Sequence, residues 1–137
     1  QDNTVFNFMN KIIVEVSIGE LLDKISILEI KLEKIKDPEK LKYINNELSI
    51  LKNQLEKNVK TDESLSKLYQ SLKEVNAKLW IIEDDKRECE KNKDFGEKFI
   101  KLSRDVHFLN DDRAKIKLEI NNHTGSIIKE IKEYTSY

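Results

Sequence analysis

One position breaks the hydrophobic pattern of the chain and points to buried charge. Arg113 stands where a helical seam of apolar side chains calls for an apolar residue. The seam on either side of it consists of Phe99, Leu102, Val106, Leu109, Ile116 and Ile120. Because an unpaired buried charge is very costly, a buried Arg113 must meet a carboxylate or an anionic ligand.

Two polar stripes at helical spacing contain candidates for that partner. Residues three and four apart share one face of a helix, and the first stripe runs through Asn76, Trp80, Glu83, Arg87 and Glu90. The second stripe lies on the helix of Arg113 and consists of His107, Asn110 or Asp111, Ala114, Lys117 and Asn121. If the two helices pack antiparallel, the stripes meet and form a polar pocket with both charge signs.

This pocket has two interpretations. In the first, it binds an anion such as a nucleotide or a sugar phosphate, with basic side chains on the anion and Trp80 stacked on the ligand. The candidate ligand-binding residues are then Trp80, Glu83, Asp84, Arg87, Asp111, Arg113, Lys117 and Asn121. In the second, which we favour, it is an interhelical salt-bridge network, because buried polar residues in coiled-coil packing often fix register and partner.

A pair of carboxylates, Glu20 and Asp23, offers a different chemistry. Helix-borne carboxylates can hold Mg²⁺ against substrate phosphates, and all-α nucleotide pyrophosphohydrolases place acidic pairs on facing helices. A chain with 26 acidic residues contains such a pair by chance, so a solvated helix face is the favoured interpretation. A magnesium-dependent phosphohydrolase is the alternative. Otherwise no metal or cofactor is expected, since His107, His123 and Cys89 lack the spacing of zinc ligands.

The composition predicts long helices and narrows the class of protein. The 137 residues include 1 proline and 3 glycines, too few for the turns of a sheet-rich fold. A charged fraction of 37% beside an apolar fraction of 38% suits amphipathic helices. The net charge of −1 argues against nucleic-acid binding, and no apolar run approaches the ~20 residues that cross a membrane. A single cysteine makes a reducing cytoplasm the expected location.

Caps and seams predict two helical hairpins, and hence an all-α fold of four long amphipathic helices. The first helix begins after Ser17, which forms a capping box with Glu20, and ends near Ile35. Asp37 and Pro38 begin the second helix. The connection between these helices is very short, and a short connection makes them antiparallel neighbours.

The third and fourth helices form the second predicted hairpin. Thr61 or Asp62 caps the third helix, which is expected to leave the core after Glu83 because the sequence there is almost wholly polar. The fourth helix is expected to begin with a capping box at Asp94 and to end at Gly125 in the left-handed conformation. Four such helices can form a monomeric bundle, but leucine-rich seams tilt the prediction toward a homodimer or another helical protein partner.

The two ends of the chain are less regular. Residues 1–11 are predicted to be an upstream extension, either disordered or added to the natural chain, and residues 12–137 a single helical domain. The β-branched run Ile12–Val16 predicts a short strand. Residues 126–137 fit either a final helix or a strand that pairs with this run.

Three segments together resemble a known family. They are VSIGELLDKISILEIKLEKI (Val16–Ile35), VNAKLWIIEDD (Val75–Asp85) and FIKLSRDVHFLNDDRAKIKLEIN (Phe99–Asn121). Through them the chain is similar, from Ile12 onward, to a family of small uncharacterised bacterial and phage proteins with a domain of unknown function. The motif residues that match are Glu20, Asp23, Lys24, Asn76, Trp80, Glu83, Asp84, Arg87, Asn110, Asp111, Arg113, Lys117 and Asn121.

The resemblance implies no activity. Its members look like stand-alone units or appendages in genomes that also encode glycosyltransferases and tetratricopeptide proteins. It alone therefore suggests a factor that docks on a larger enzyme of surface-sugar synthesis. From the residues themselves, the favoured prediction is a non-enzymatic helical interaction module, and the alternative is the small-ligand or phosphohydrolase-like protein described above. The final KEYTSY departs from the family's acidic-Lys-Ser-Tyr ending, so the tail inherits no role.

Overall fold

The computed structural model of the chain describes residues 10–133 and 135–136, and these contain four α-helices. Helix α1 spans Ile18–Lys34, α2 spans Pro38–Asn58, α3 spans Glu63–Lys91 and α4 spans Glu97–Thr124. The predicted all-α fold of four long helices is confirmed. No helix in this part of the chain is both long and apolar enough to span a membrane.

Polar caps explain where the first three helices begin. The Ser17 side chain accepts a hydrogen bond from the Glu20 backbone N–H at 3.0 Å, which is half of the predicted capping box. The Glu20 carboxylate does not return to the cap, because it bonds instead to α4. Asp37 and Asp62 cap α2 and α3 through their side chains, and Pro38 occupies the first turn of α2 as predicted.

The two ends of α4 follow different rules. The predicted capping box at Asp94 is wrong, because Gly96 is the cap residue and no side chain bonds to the first turn. Asp94 instead accepts a hydrogen bond from the Gly96 N–H at 3.2 Å, which forms a local turn before the helix. At the other end, Gly125 adopts φ of 67°, the left-handed conformation predicted for it.

Helix α1 is the centre of the packing. Its backbone lies close to those of α2, α3 and α4, and α3 and α4 form the other close pair. It supplies four of the nine buried apolar side chains of the core: Leu21, Leu22, Ile25, Leu28, Ile44, Leu48, Leu65, Leu72 and Ile120. Each such side chain contributes roughly 1.5–3 kcal/mol on burial, so the fit of α1 between its neighbours is a large part of the stability of the fold.

The α3–α4 hairpin extends beyond α1 as a two-helix arm. Helices α3 and α4 have 29 and 28 residues, whereas α1 has 17. The prediction that the third helix leaves the core is confirmed, because no described residue of α3 beyond Leu72 belongs to the core. The polar segment is nevertheless helical to Lys91, and Cys89 near its end is only 2% exposed.

The segments that flank the bundle carry neither helix nor strand in the described residues. The strand predicted for residues 12–16 is wrong, since this segment is irregular and exposed and pairs with no strand in the described residues. Residues 126–133 form neither of the two predicted alternatives, a helix or a strand. The extension predicted for residues 1–11 falls largely on residues 1–9, which lie outside the described part of the chain.

Candidate functional site

The prediction that Arg113 finds its partner on the third helix is wrong, because its carboxylate partner lies on α1. The guanidinium donates from Nε to Asp23 Oδ1 at 2.9 Å and from Nη2 to Asp23 Oδ2 at 2.5 Å. This two-point geometry matches the fork of a guanidinium to both oxygens of a carboxylate. Asp23 is 1% exposed, so the ion pair forms where water is excluded from the carboxylate.

Two neutral side chains complete the surroundings of Asp23. Asn76 on α3 donates from Nδ2 to Asp23 Oδ1 at 2.9 Å and to Ser26 Oγ at 2.8 Å. Ser26 in turn donates to the backbone oxygen of Asp23 at 2.8 Å. Burial alone would raise the pKa of Asp23, but the hydrogen bonds from Arg113 and Asn76 and the nearby positive charges hold it below its ordinary value. The carboxylate therefore stays ionised.

A second ion-pair group lies one helical turn further along α4. Lys117 Nζ donates to Glu20 Oε2 at 2.6 Å and to Glu130 Oε2 at 3.0 Å. Burial would lower the pKa of Lys117, but the two carboxylates raise it above its ordinary value. The Lys117 hydrogen bond lowers the pKa of Glu130. Lys117 therefore ties α1 to the segment that follows α4.

Polar side chains from α4 and beyond it also satisfy the first turn of α1. The Gly19 N–H donates to Asn121 Oδ1 at 2.7 Å, and the Ile18 N–H donates to Ser126 Oγ at 3.2 Å. Amides in the first turn of a helix have no partner within the helix, so these bonds fix α1 against the end of α4. We call the whole set the clasp: Glu20, Asp23, Asn76, Arg113, Lys117, Asn121, Ser126 and Glu130.

A glycine makes this close approach possible. A Cβ on Gly19 would lie 2.5 Å from the Lys117 backbone oxygen and 2.9 Å from Asn121 Oδ1. The backbone of α4 cannot yield to a side chain there without moving the helix. Gly19 therefore sets the distance between α1 and α4 at which the clasp bonds form.

Beside Arg113, an open groove of about 400 Å³ lies next to the clasp. Its floor is apolar, with Ile27 and Ile30 from α1, and its rim carries Trp80, Glu83, Asp84 and Arg87 from α3. Arg113 and Asn76 also face it. Glu83, Asp84 and Arg87 form no ion pair with any other described residue, so the rim differs from the clasp, where the charges are paired.

The family of unknown function DUF6165 matches residues 12–137. The chain belongs to this family. No curated protein and no solved structure matches the chain. The family match, like the resemblance of the three motif segments, therefore assigns no activity to the chain.

In this DUF6165 member, the predicted site residues separate into two places. Trp80, Glu83, Asp84, Arg87 and Arg113 come together around the groove, but no residue of the second predicted stripe lines it, so the groove is not the predicted meeting of the two stripes. Lys117 and Asn121 lie instead in the clasp. Asp111 does not line the groove, and its carboxylate lies 4.0 Å from His107 on the same helix.

The solvated-face interpretation of the acidic pair on α1 is wrong. Asp23 is buried, and the Glu20 carboxylate bonds to a lysine whose side chain is only 10% exposed. Both carboxylates face basic residues of α4. No group of three or more His, Cys, Asp or Glu side chains in residues 10–133 or 135–136 is placed to hold a metal ion.

Four residues of the site were missed or undervalued by the sequence reasoning. Ser26 and Ser126 have no pattern that distinguishes a buried serine from an exposed one. Glu130 lies in a segment whose conformation the sequence left open. Asp23 carried no signal either, because a carboxylate within an amphipathic helix has the same sequence pattern whether it faces water or a neighbouring helix.

Proposed function

We propose that this DUF6165 member is a non-enzymatic helical interaction module whose clasp positions two exposed, largely apolar segments for a protein partner. We call residues 12–16 the entry segment and residues 127–133 the tail. The observation that carries the proposal is the pairing of charges within the clasp. Arg113 forms an ion pair with Asp23, and Lys117 forms ion pairs with Glu20 and Glu130. The first role of these charged groups is therefore to stabilise the packing of the helices.

The clasp bonds converge on the ends of the two segments. Ser17 directly follows the entry segment and is buried, and so is Ser126, which precedes the tail. The hydrogen bond from the Ile18 N–H to Ser126 Oγ joins these two points directly. Glu130 holds the middle of the tail to Lys117. The clasp therefore keeps the bases of the entry segment and the tail together at one end of the bundle.

The segments themselves are dominated by exposed β-branched residues. Ile12 is 91% exposed, Ile127 is 99% exposed and Ile131 is 78% exposed. Clustered apolar exposure of this kind marks an interaction site more often than isolated exposed side chains do. The ion pairs of the clasp anchor these segments, whereas their apolar side chains stay exposed. This arrangement fits a protein that completes its packing with a partner.

Limited proteolysis with trypsin, which cleaves after Lys129 and Lys132 in the tail, can test the role of the clasp. We expect Lys117→Met to speed cleavage of the tail, because Glu130 loses its hydrogen bond to α4, while α2 and the arm stay resistant. Lys115→Met is the matched control, since Lys115 lies exposed on the same helix and forms no ion pair with a described residue. Equal cleavage rates of the tail in the wild type, Lys117→Met and Lys115→Met would refute a positioning role for the clasp.

The groove supports a second candidate function, the binding of a small anion that carries a planar ring. Arg113 Nη1 has only a 3.5 Å contact with Asn110 Oδ1, so it can donate into the groove. Arg87 stands unpaired on the rim, and Trp80 can stack on a base or ring. A magnesium-dependent reaction has less support, because Glu20 and Asp23 would have to leave Lys117 and Arg113.

Thermal unfolding with a panel of nucleotides and sugar phosphates, each with and without Mg²⁺, tests this second candidate. A ligand of the native state raises the midpoint by mass action. The informative variant is Arg87→Gln, because Arg87 contributes to the groove without supporting the clasp. A midpoint that rises for the wild type and not for Arg87→Gln would establish the groove as a binding site. No shift with any compound would leave the interaction module as the better proposal.

A further inference from the structure

We infer that the partner of the entry segment and the tail is a second copy of this chain, whose tail pairs with that of the first copy as an antiparallel β-strand. This inference rests on the proposed interaction function and names its partner. Three features support this pairing: the unpaired backbone groups of both segments, the order of charges along the tail, and the junction at which the clasp joins the two segments.

The backbone of both segments is available for strand pairing. No backbone group of residues 12–16 hydrogen-bonds to another described residue, and no N–H of residues 127–133 donates to one. The side chains of Ile12, Ile13, Val14, Ile127 and Ile131 are of the β-branched type that favours strands. Exposed strands with unpaired backbone groups recruit another strand. The segments thus have the composition and the free hydrogen-bonding groups of edge strands.

The charge order of the tail identifies what kind of strand fits it. Residues 129–133 read Lys-Glu-Ile-Lys-Glu and are centred on Ile131. When two such tails run antiparallel with the two Ile131 side chains opposite one another, Lys129 faces Glu133 of the second copy. Glu130 then faces Lys132 of the second copy. Opposite charges at directly opposed positions stabilise a sheet, whereas a parallel register would oppose like charges. The tail is therefore complementary to itself in the antiparallel direction, about a two-fold axis.

The entry segments supply the remaining strands of the proposed sheet. Along the chain, the entry segment runs towards the Ser17–Ser126 junction and the tail runs away from it, so the two are suited to antiparallel pairing within one copy. Two isolated strands are marginal in water, but three or more are stable when they share an apolar face. Two copies would contribute four strands in the order entry segment, tail, tail, entry segment. Tail pairing between copies therefore gives the entry segments a sheet to join.

The outer face of the arm is the competing surface for a second copy. Ile81 is half exposed there and lies in a shallow depression with Ile82 and Leu109. This surface carries Lys78 and Asp105 at its margin but has no charge order that selects its own copy. The tail is the better-supported interface, and the arm provides a matched site for control variants.

Sedimentation velocity of the wild type over a wide range of concentration is the first measurement. We expect a reversible increase from the monomer mass of 16.2 kDa to twice that value. Lys129→Glu and Glu133→Lys should each raise the dimer Kd about tenfold or more, because each variant opposes like charges at both symmetry-related pairs. Ile81→Lys on the arm should leave the Kd unchanged.

Mixing the two charge variants gives the decisive result. In a mixed dimer, Glu at position 129 of one copy faces Lys at position 133 of the other, and the second pair is also complementary. An equimolar mixture of Lys129→Glu and Glu133→Lys should therefore dimerise with about the wild-type Kd. Failure of the mixture to recover would overturn the antiparallel register, and loss of the dimer in Ile81→Lys alone would move the interface to the arm.

The two proposals fail in different ways. If the wild type is monomeric at every concentration while Lys117→Met still releases the tail, the second copy is excluded as partner and the clasp keeps its positioning role. If Lys117→Met leaves the rate of tryptic cleavage of the tail unchanged, the interaction function itself fails, whatever the oligomeric state. Circular dichroism of each tail variant checks that the helices are intact, since all the substitutions lie outside the core.

Discussion

Arg113 and Asp23 join α4 to α1 through two parallel hydrogen bonds, with the carboxylate completely enclosed by protein. The pair spans most of the chain and lies at the boundary between the clasp and the groove. Removing one member leaves the other charge without compensation in a site that excludes water. Its contribution is therefore best measured by comparing single and double variants.

Arg113→Met should destabilise the protein by about 2–3 kcal/mol, because Asp23 loses its cation while it stays buried; the partial exposure of the arginine keeps the loss below that of a fully buried pair. In an Asp23→Asn background the same substitution should cost far less, since the neutral amide needs no cation. Urea unfolding of the four proteins gives both values. Equal costs in the two backgrounds would mean that the ion pair contributes no coupling.

Acid should weaken the fold through Asp23. Its pKa in the folded protein lies below the ordinary value of 3.8. The folded state therefore binds the proton less readily than the unfolded state, and this contribution is present above about pH 4 and is lost as the pH falls through the folded pKa. Wild-type stability should decline more steeply than that of Asp23→Asn between pH 5 and pH 2, as estimated from the linkage relation. Parallel urea titrations would reveal it, and identical slopes would contradict it.

Gly19→Ala should destabilise the protein by about 1–3 kcal/mol, because the new methyl group would overlap the Lys117 backbone oxygen and move α1 away from α4. This cost opposes the gain of roughly 0.5–1 kcal/mol that alanine normally brings to a helix. Gly96→Ala is the control, since the nearest atom to its added Cβ, Asp94 Oδ1, is 3.5 Å away. A Gly19→Ala protein as stable as Gly96→Ala would show that the two helices adjust freely.

Tyr69→Phe should leave stability unchanged or raise it by up to about 1 kcal/mol. The Tyr69 hydroxyl is buried and has no hydrogen-bond partner among the described residues, and an unsatisfied buried hydroxyl carries the cost of its lost hydration. Tyr43→Phe serves as comparison because Tyr43 is exposed on α2. Thermal unfolding of both variants is sufficient. A marked loss for Tyr69→Phe alone would indicate that the hydroxyl binds an ordered water.

The spacing of apolar residues predicted the helices and their pairing in hairpins, because each amphipathic helix records locally which face is buried. The irregular Arg113 correctly indicated a buried ion pair. Its partner was sought on α3, the helix with the visible polar stripe, but it lies on α1. A carboxylate within a helix has the same sequence pattern whether it faces water or a guanidinium. Its environment depends on how α1 inserts between α3 and α4, which is a property of the whole fold.

In the two segments that flank the helices, the local sequence predicted more structure than the fold contains. The β-branched composition of residues 12–16 predicted a strand, but a strand requires backbone hydrogen bonds from a neighbour. In the described residues no such neighbour is present, so the local preference is left unfulfilled. The composition of a segment shows which structure it favours, but a β-strand forms only where a neighbouring strand offers backbone hydrogen bonds.

The hydrogen bonds of the clasp also constrain the order in which the chain can acquire structure during synthesis. The bonds to the first turn of α1 come from residues 102 and 108 positions later, at Asn121 and Ser126. At translation rates of about 5–20 residues per second, α1 waits roughly 5–20 s for these partners after it leaves the ribosome. Until then, the apolar side chains that α1 will bury against α4 are accessible to chaperones and to other nascent chains. The helix that organises the finished fold is thus the one with the longest period of vulnerability before folding.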